Sequence, residues 1–130
     1  MQKYNEFMET VRGEYAQNED KDTINPMPLN TIMVGCKYDV FEKYDTESRK
    51  WLSRSLRYIA HHHNMSLFFS STKNMQVGAQ LRAYVQEKVF QEKKVKMNSQ
   101  FDHTKPIFVL NGEDGIKSMN LPSSSSLNTI

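Results

Sequence analysis

Apolar side chains at Tyr4, Phe7, Met8, Val11 and Tyr15 fall at the i, i+3, i+4, i+7, i+11 spacing of one helical face, so the chain opens with an amphipathic helix. The polar stretch from Gln17 to Asn30 cannot prolong it, because Pro26 and Pro28 lack an amide hydrogen and disfavour helix in the residue before them. It reads as a surface connection. Leu29 to Val34 is a short apolar run between a proline and a glycine, and predicts a strand buried on both faces of a parallel sheet. Asp45 or Thr46 then caps a second helix whose first turn holds Glu47 at the positive end of the dipole. Its expected core face is Trp51, Leu52, Leu56, Ile59 and Ala60. Arg57 and His61 to His63 are expected as cations near the negative helix end, with Asn64 as a left-handed stop.

Ser66 to Ser70 is a second compact strand, and a third helix follows with Val77, Leu81, Val85 and Val89 recurring on one side. The alternation helix, strand, helix, strand, helix predicts an α/β fold, a parallel sheet with flanking helices. The lysine-rich run from Gln91 to Pro106 reads as a helix end and a loop, and residues 106 to 111 read as one more strand, ending in the turn-forming NGEDG. Residues 1–112 are thus expected to be the folded unit, and residues 113–130 a turn and a disordered serine-rich tail.

Length and charge narrow the classes. At 130 residues the chain suits one domain. A net charge of +2, from 17 basic and 15 acidic residues dispersed along it, gives no electrostatic footprint for nucleic acid. The single cysteine, Cys36, excludes an internal disulfide framework and fits a reducing compartment. No apolar run approaches the roughly 20 residues of a membrane span and no basic-then-apolar leader begins the chain, so neither membrane insertion nor a signal peptide is expected and the default location is cytoplasmic.

Candidate chemistry concentrates after the two best strands, where open parallel sheets bind their ligands. There Lys37-Tyr38-Asp39 and Ser71-Thr72-Lys73 follow the apolar runs. An aspartate fixed in that position can accept the ring N–H and amino hydrogens of a guanine, while a lysine stem lies over the base. This is the logic of the NKxD loop of GTP-binding proteins, with the later serine-alanine-lysine loop in support. Cys36 stands where that motif has asparagine, and a thiol cannot make the two-ended hydrogen bonds of an amide, so the base site reads as vestigial.

No GxxxxGK(S/T) loop is present to hold phosphates, nor a plausible magnesium aspartate after an earlier strand. Phosphoryl transfer rests on positioning and electrostatic stabilisation of the phosphate, so no enzymatic activity is expected and no cofactor, GTP and GDP included. His61, His62 and His63 project about 100° apart on a helix and cannot close on one ion, so no metal site is expected. Cys36 has no base placed beside it and reads as a small, half-buried residue at a strand end.

The run Gly35, Lys37, Tyr38, Asp39, Val40, Phe41, then Arg49 and Lys50, then Leu56-Arg57-Tyr58-Ile59-Ala60-His61 and Ser66-Leu67-Phe68-Phe69, resembles the light intermediate chain family of cytoplasmic dynein 2. NPMPLN before the first strand and KPIFVLNGEDG near the end fall in the same order. The resemblance implies a partial Ras-like, P-loop-NTPase-like domain, its C-terminal half without the N-terminal phosphate-binding half. It implies a scaffold subunit rather than an enzyme, bound to the dynein 2 heavy chain and to other dynein 2 subunits and acting in retrograde intraflagellar transport. The corresponding location is cytoplasm, cytoskeleton, cilium and basal body. It implies Lys37, Asp39, Ser71 and Lys73 as the remnant of a base-binding site. The rival reading is a guanine-nucleotide-binding switch protein using Asp39 and Lys73, and a third is an unrelated α/β domain.

Overall fold

A computed structural model describes residues 1–91 and 97–121; residues 92–96 of the lysine-rich run and 122–130 of the serine-rich tail lie outside the described residues. Helix α1 spans Gln2–Tyr15, strand β1 Ile32–Gly35, and the single-turn helix α2 Tyr38–Phe41. Helix α3 spans Thr46–His62, β2 Ser66–Phe69 and α4 Met75–Phe90. Strand β3 is Phe108–Val109, and a last short helix, α5, is Ile116–Met119. No helix among the described residues is long and apolar enough to cross a membrane.

The sheet has the order β1-β2-β3. β1 and β2 run parallel, Met33 opposite Leu67 and Gly35 opposite Phe69, with α3 in the crossover. β3 runs antiparallel to β2, so the sheet is mixed and the expectation of an all-parallel sheet is corrected. The chain reaches β3 only after α4 and a long loop, and it returns along the free edge of β2 in the opposite direction.

Alternation along β2 sets up the three layers. Leu67 and Phe69 face one way, into a core with Tyr38, Ala60, Ile107 and Val109, sealed by Met33, Phe41, Leu56 and Met65. Phe68 faces the other way and meets Tyr84 of α4 at 4.9 Å between ring centroids. Ser66 shares that second face, and its hydroxyl is satisfied by the Tyr84 hydroxyl at 2.6 Å and the Asn111 amide at 3.0 Å, so burying it costs little. Burial raises the Tyr84 pKa above its ordinary value although the Ser66 bond opposes this. β2 is therefore the strand enclosed on both faces. β1, assigned that role by its pattern, is an edge strand with Val34 exposed.

Helix ends follow local chemistry. The Asp45 carboxylate caps α3 by accepting from Ser48 N at 3.0 Å. At the other end Asn64 is left-handed, with φ 53°, and Met65 N returns to Ala60 O at 2.7 Å. Asn74 caps α4 through Gln76 N and Val77 N. The helical faces depart further from expectation. α3 buries Ser53, Arg57, Ala60 and His61, while Trp51, Leu52 and Ile59 lie outside. α4 buries Val77 and Tyr84, and Val85 and Val89 are exposed.

The connection after α1 is held at specific points. Ile24 is buried in a small cluster with Val11 and Tyr15, and the Asn18 amide donates to Gly112 O at 2.9 Å and Asp114 O at 2.8 Å. Gly112 turns there with φ 82°, where a Cβ would stand 2.5 Å from Glu14 O, so both conformation and space call for glycine. Residues 113–119, expected as part of the turn and tail, pack back onto the body: Asp114 and Met119 are buried.

Candidate functional site

β1 ends at Gly35 opposite Phe69, and a Cβ on Gly35 would lie 2.6 Å from Phe69 Cδ1. The missing side chain lets the Phe69 ring lie over the strand end, where it meets Tyr38 at 5.8 Å and Phe41 at 5.3 Å. Glycine at the strand end and aromatics on the following turn are thus one packing unit. Burial also pushes the Tyr38 pKa up, against the hydrogen bond that Arg49 Nη2 donates to its hydroxyl at 3.1 Å.

The ladder continues past the strands and locks the two loops together. Ser70 N donates to Gly35 O at 2.8 Å, and Tyr38 N donates to Ser70 O at 2.9 Å. Lys37, between them, takes the left-handed conformation with φ 59° and precedes the first turn of α2. Asp39 then faces the second loop. Ser71 Oγ donates to Asp39 Oδ1 at 2.8 Å, Lys73 Nζ lies 3.5 Å from Asp39 Oδ2, and Lys73 N donates to Ser71 Oγ at 3.1 Å.

The structure therefore brings Asp39, Ser71 and Lys73 into one cluster and sets Lys37 at its entrance as an exposed side chain. One oxygen of the Asp39 carboxylate accepts from the neighbouring loop, and the largely exposed Lys73 ammonium lies near the other. Cys36, expected to be half-buried, is exposed. The reason is local: the chain leaves the sheet at Gly35, so the next side chain has no layer above it.

The Ser71 hydroxyl, ahead of the Lys73 charge, holds the Asp39 carboxyl below the ordinary aspartate value. A depressed folded-state pKa means that the tie contributes stability above the unfolded aspartate pKa and loses it as pH falls through the depressed one. Carbon NMR is therefore expected to show Asp39 titrating below ordinary aspartates, and Ser71→Ala to move it upward. An unmoved midpoint in the variant would show that the hydroxyl does not set it.

Two of the side chains expected as helix-end cations, Arg57 and His61, are buried. Arg57 Nε donates to Asp114 Oδ2 at 2.9 Å and Nη2 to Oδ1 at 2.6 Å, with Phe101 packed 4.9 Å from the guanidinium. His61 Nε2 lies 2.9 Å from Asp20 Oδ2, which also accepts from Ile116 N at 2.9 Å. His62 stacks on Tyr58, and His63 Nδ1 lies 3.1 Å from Asn25 O. The His62 and His63 rings meet edge to face at 4.8 Å, while His61 turns away to Asp20.

An open cleft of about 920 Å³ borders the Arg57 to Asp114 pair, lined by residues of both charges, among them Lys50, Arg54, Glu14, Glu19 and Asp102. It is remote in sequence from the strand-end loops and shares none of their four candidate residues. The Arg57 contribution was missed from sequence because its partner lies 57 positions away.

No family model matches the chain. It is similar to cytoplasmic dynein 2 light intermediate chain 1 of Danio rerio, 31% identical over 103 residues that cover 79% of this chain and 28% of the relative. Against the Bos taurus and Homo sapiens proteins of the same name, identity is 31% and 32% over the same length, with 29% of each relative covered. The chain thus spans less than a third of the length of the curated relatives it matches. The resemblance carried by Gly35 to Phe41 extends over most of its own length.

Proposed function

From this chain's sequence kinship with the light intermediate chains of cytoplasmic dynein 2, we propose that it is a non-catalytic subunit of that motor. In this reading it binds and stabilises the dynein 2 heavy chain in retrograde intraflagellar transport and cilium assembly. It works in the cytoplasm and on the cytoskeleton, at the cilium and basal body. The single observation that carries the proposal is the match over 103 residues to relatives that share one name. In the strand-end cluster the Asp39 carboxylate contributes to holding two loops together. The test is co-expression with the dynein 2 heavy-chain tail: the two polypeptides are expected to co-purify at a fixed ratio in physiological salt. Recovery of the soluble chain without the tail would sink the proposal.

A second reading has its own observation. Asp39, Ser71 and Lys73 converge as a guanine-binding site requires, which keeps a guanine-nucleotide-binding switch in play. Calorimetry with GTP, GDP and magnesium separates the two. The scaffold reading expects no binding heat, whereas micromolar affinity abolished by Asp39→Ala would establish the switch.

A further inference from the structure

The two edges of the sheet differ. β3 is two residues long, and on its outer side Gln100 bridges Phe108, with Gln100 N donating to Phe108 O at 2.7 Å. A very short strand covered by a further segment is a usual way of closing an edge. β1 has no such cover. It pairs with β2 alone, and among the described residues no strand lies beyond it.

Alternation fixes what that edge offers. Thr31 O accepts from Ser66 N at 3.4 Å and Gly35 O from Ser70 N at 2.8 Å, so the backbone groups of the odd-numbered residues face β2. Those of Ile32 and Val34 therefore face outward. Ile32 lies opposite Ser66 and Val34 opposite Phe68, so both side chains share the α4 face of the sheet. Val34 is 38% exposed there, and Ile32 lines a cavity of about 170 Å³ together with Val85 and Val89, which are exposed themselves.

Natural sheets guard a bare edge with charge, proline or a bulge. From Leu29 to Cys36 there is no charged residue and no proline, and β1 keeps an unbroken register with β2. The first charge is Lys37, whose left-handed backbone already turns the chain out of the sheet and into α2. Such an edge is satisfied by an uncharged extended segment with β-branched side chains on one face. β1 itself answers that description.

We propose that β1 is a dimerisation edge, on which a second copy of this chain pairs antiparallel to form one continuous sheet. Pairing centred on Met33 sets Ile32 of each copy opposite Val34 of the other, and the outward N–H and C=O groups of both residues are all used. Lys37 then falls opposite Leu29 of the other copy, so like charges do not meet. The two-fold axis stands perpendicular to the sheet and keeps both α4 helices on one face. Ile32 and Val34 become cross-strand neighbours there, between the Val85 and Val89 of each copy. The inference is independent of the scaffold reading.

Sedimentation of the whole chain over a range of concentrations is expected to show a monomer to dimer equilibrium. In the dimer the amides of Ile32 and Val34 are expected to exchange slowly with deuterium, and to exchange faster on dilution. Val34→Pro removes an N–H that β2 does not use, and is expected to weaken dimerisation at least about tenfold while the ladder to β2 survives. Val34→Lys leaves the backbone unaltered and is expected to weaken it comparably, by setting charge at the joint. Val34→Thr keeps both the amide and a β-branched side chain, and is expected to dimerise nearly as well as the parent. Circular dichroism should show the three variants folded. A chain that stays monomeric at NMR concentrations would overturn the proposal. So would a dimer in which the Ile32 and Val34 amides exchange fast, or one that neither Val34→Pro nor Val34→Lys weakens. Open-ended assembly would overturn it as well, because pairing through one edge closes at two copies. If the chain does not self-associate and the co-expressed dynein 2 heavy-chain tail protects these two amides, the edge belongs to that partner and the proposal falls.

Discussion

Arg57→Ala is expected to destabilise the fold by about 3–5 kcal/mol, the range for breaking a buried ion pair from one side. The Arg57 and Asp114 side chains are 7% and 3% exposed. The two nitrogens of one guanidinium meet both carboxylate oxygens, and Nη2 also reaches Ser118 Oγ at 3.1 Å. Alanine would leave the Asp114 carboxylate enclosed with only Gly115 N and the Ser118 hydroxyl to donate to it. Two uncharged donors do not replace a fixed cation in a site that water reaches poorly. Removing both charges together, as Arg57→Met with Asp114→Leu, is expected to recover much of the loss, since no uncompensated charge remains. Urea denaturation of the three variants measures it. A single variant within about 1 kcal/mol of the parent would mean that the pair is solvated and not a structural tie between α3 and the turn before α5.

Phe69→Ala is expected to cost about 3–5 kcal/mol, the usual range for truncating a buried phenylalanine. Its ring packs between the Gly35 strand end, Tyr38 and Phe41, so the cavity would open beneath the loop that carries Asp39. Chemical shifts of Tyr38 and Asp39 should move with the loss of stability. Trp51→Ala provides the contrast and is expected to cost less than about 1 kcal/mol, because that indole sits outside the core with one cation over it. If the tryptophan variant proved the more damaging of the two, the orientation assigned to α3 would be wrong.

The comparison between Phe69 and Trp51 marks where a linear pattern stops being informative. Both are aromatic residues in strongly apolar neighbourhoods. In β2 the run Ser66 to Phe69 is enclosed on both sides, the role that the pattern assigned instead to the run Leu29 to Val34. In α3 the expected face is split, with Leu56 and Ala60 meeting the sheet and Trp51, Leu52 and Ile59 left outside. The decision goes to Arg57 and His61, whose carboxylates arrive from Asp114 and Asp20. A polar side chain can occupy the interior when its partner is delivered there, and that delivery is invisible at 57 or 41 positions of separation.

The strand-end loops show the same division on a smaller scale. Lys37, Asp39, Ser71 and Lys73 were legible from their place after the two apolar runs. That Ser71 and Lys73 bond to Asp39 depends on the parallel register that sets Gly35 opposite Phe69. The exposure of Cys36, one residue beyond that register, is fixed in the same way.

By itself the sequence determined the order of the three long helices and the three strands, a cap at Asp45 or Thr46, the left-handed stop at Asn64 and the likeness to light intermediate chains. These depend on local spacing, on backbone preference or on residues read in order. Only the tertiary structure decided that β3 runs antiparallel and that α3 turns its polar face inward. It also decided that residues 113–119 join the body through Asp114 and Met119. Each of these depends on a pairing between groups far apart in the chain, and the energy of a pairing is set by where its partner is brought.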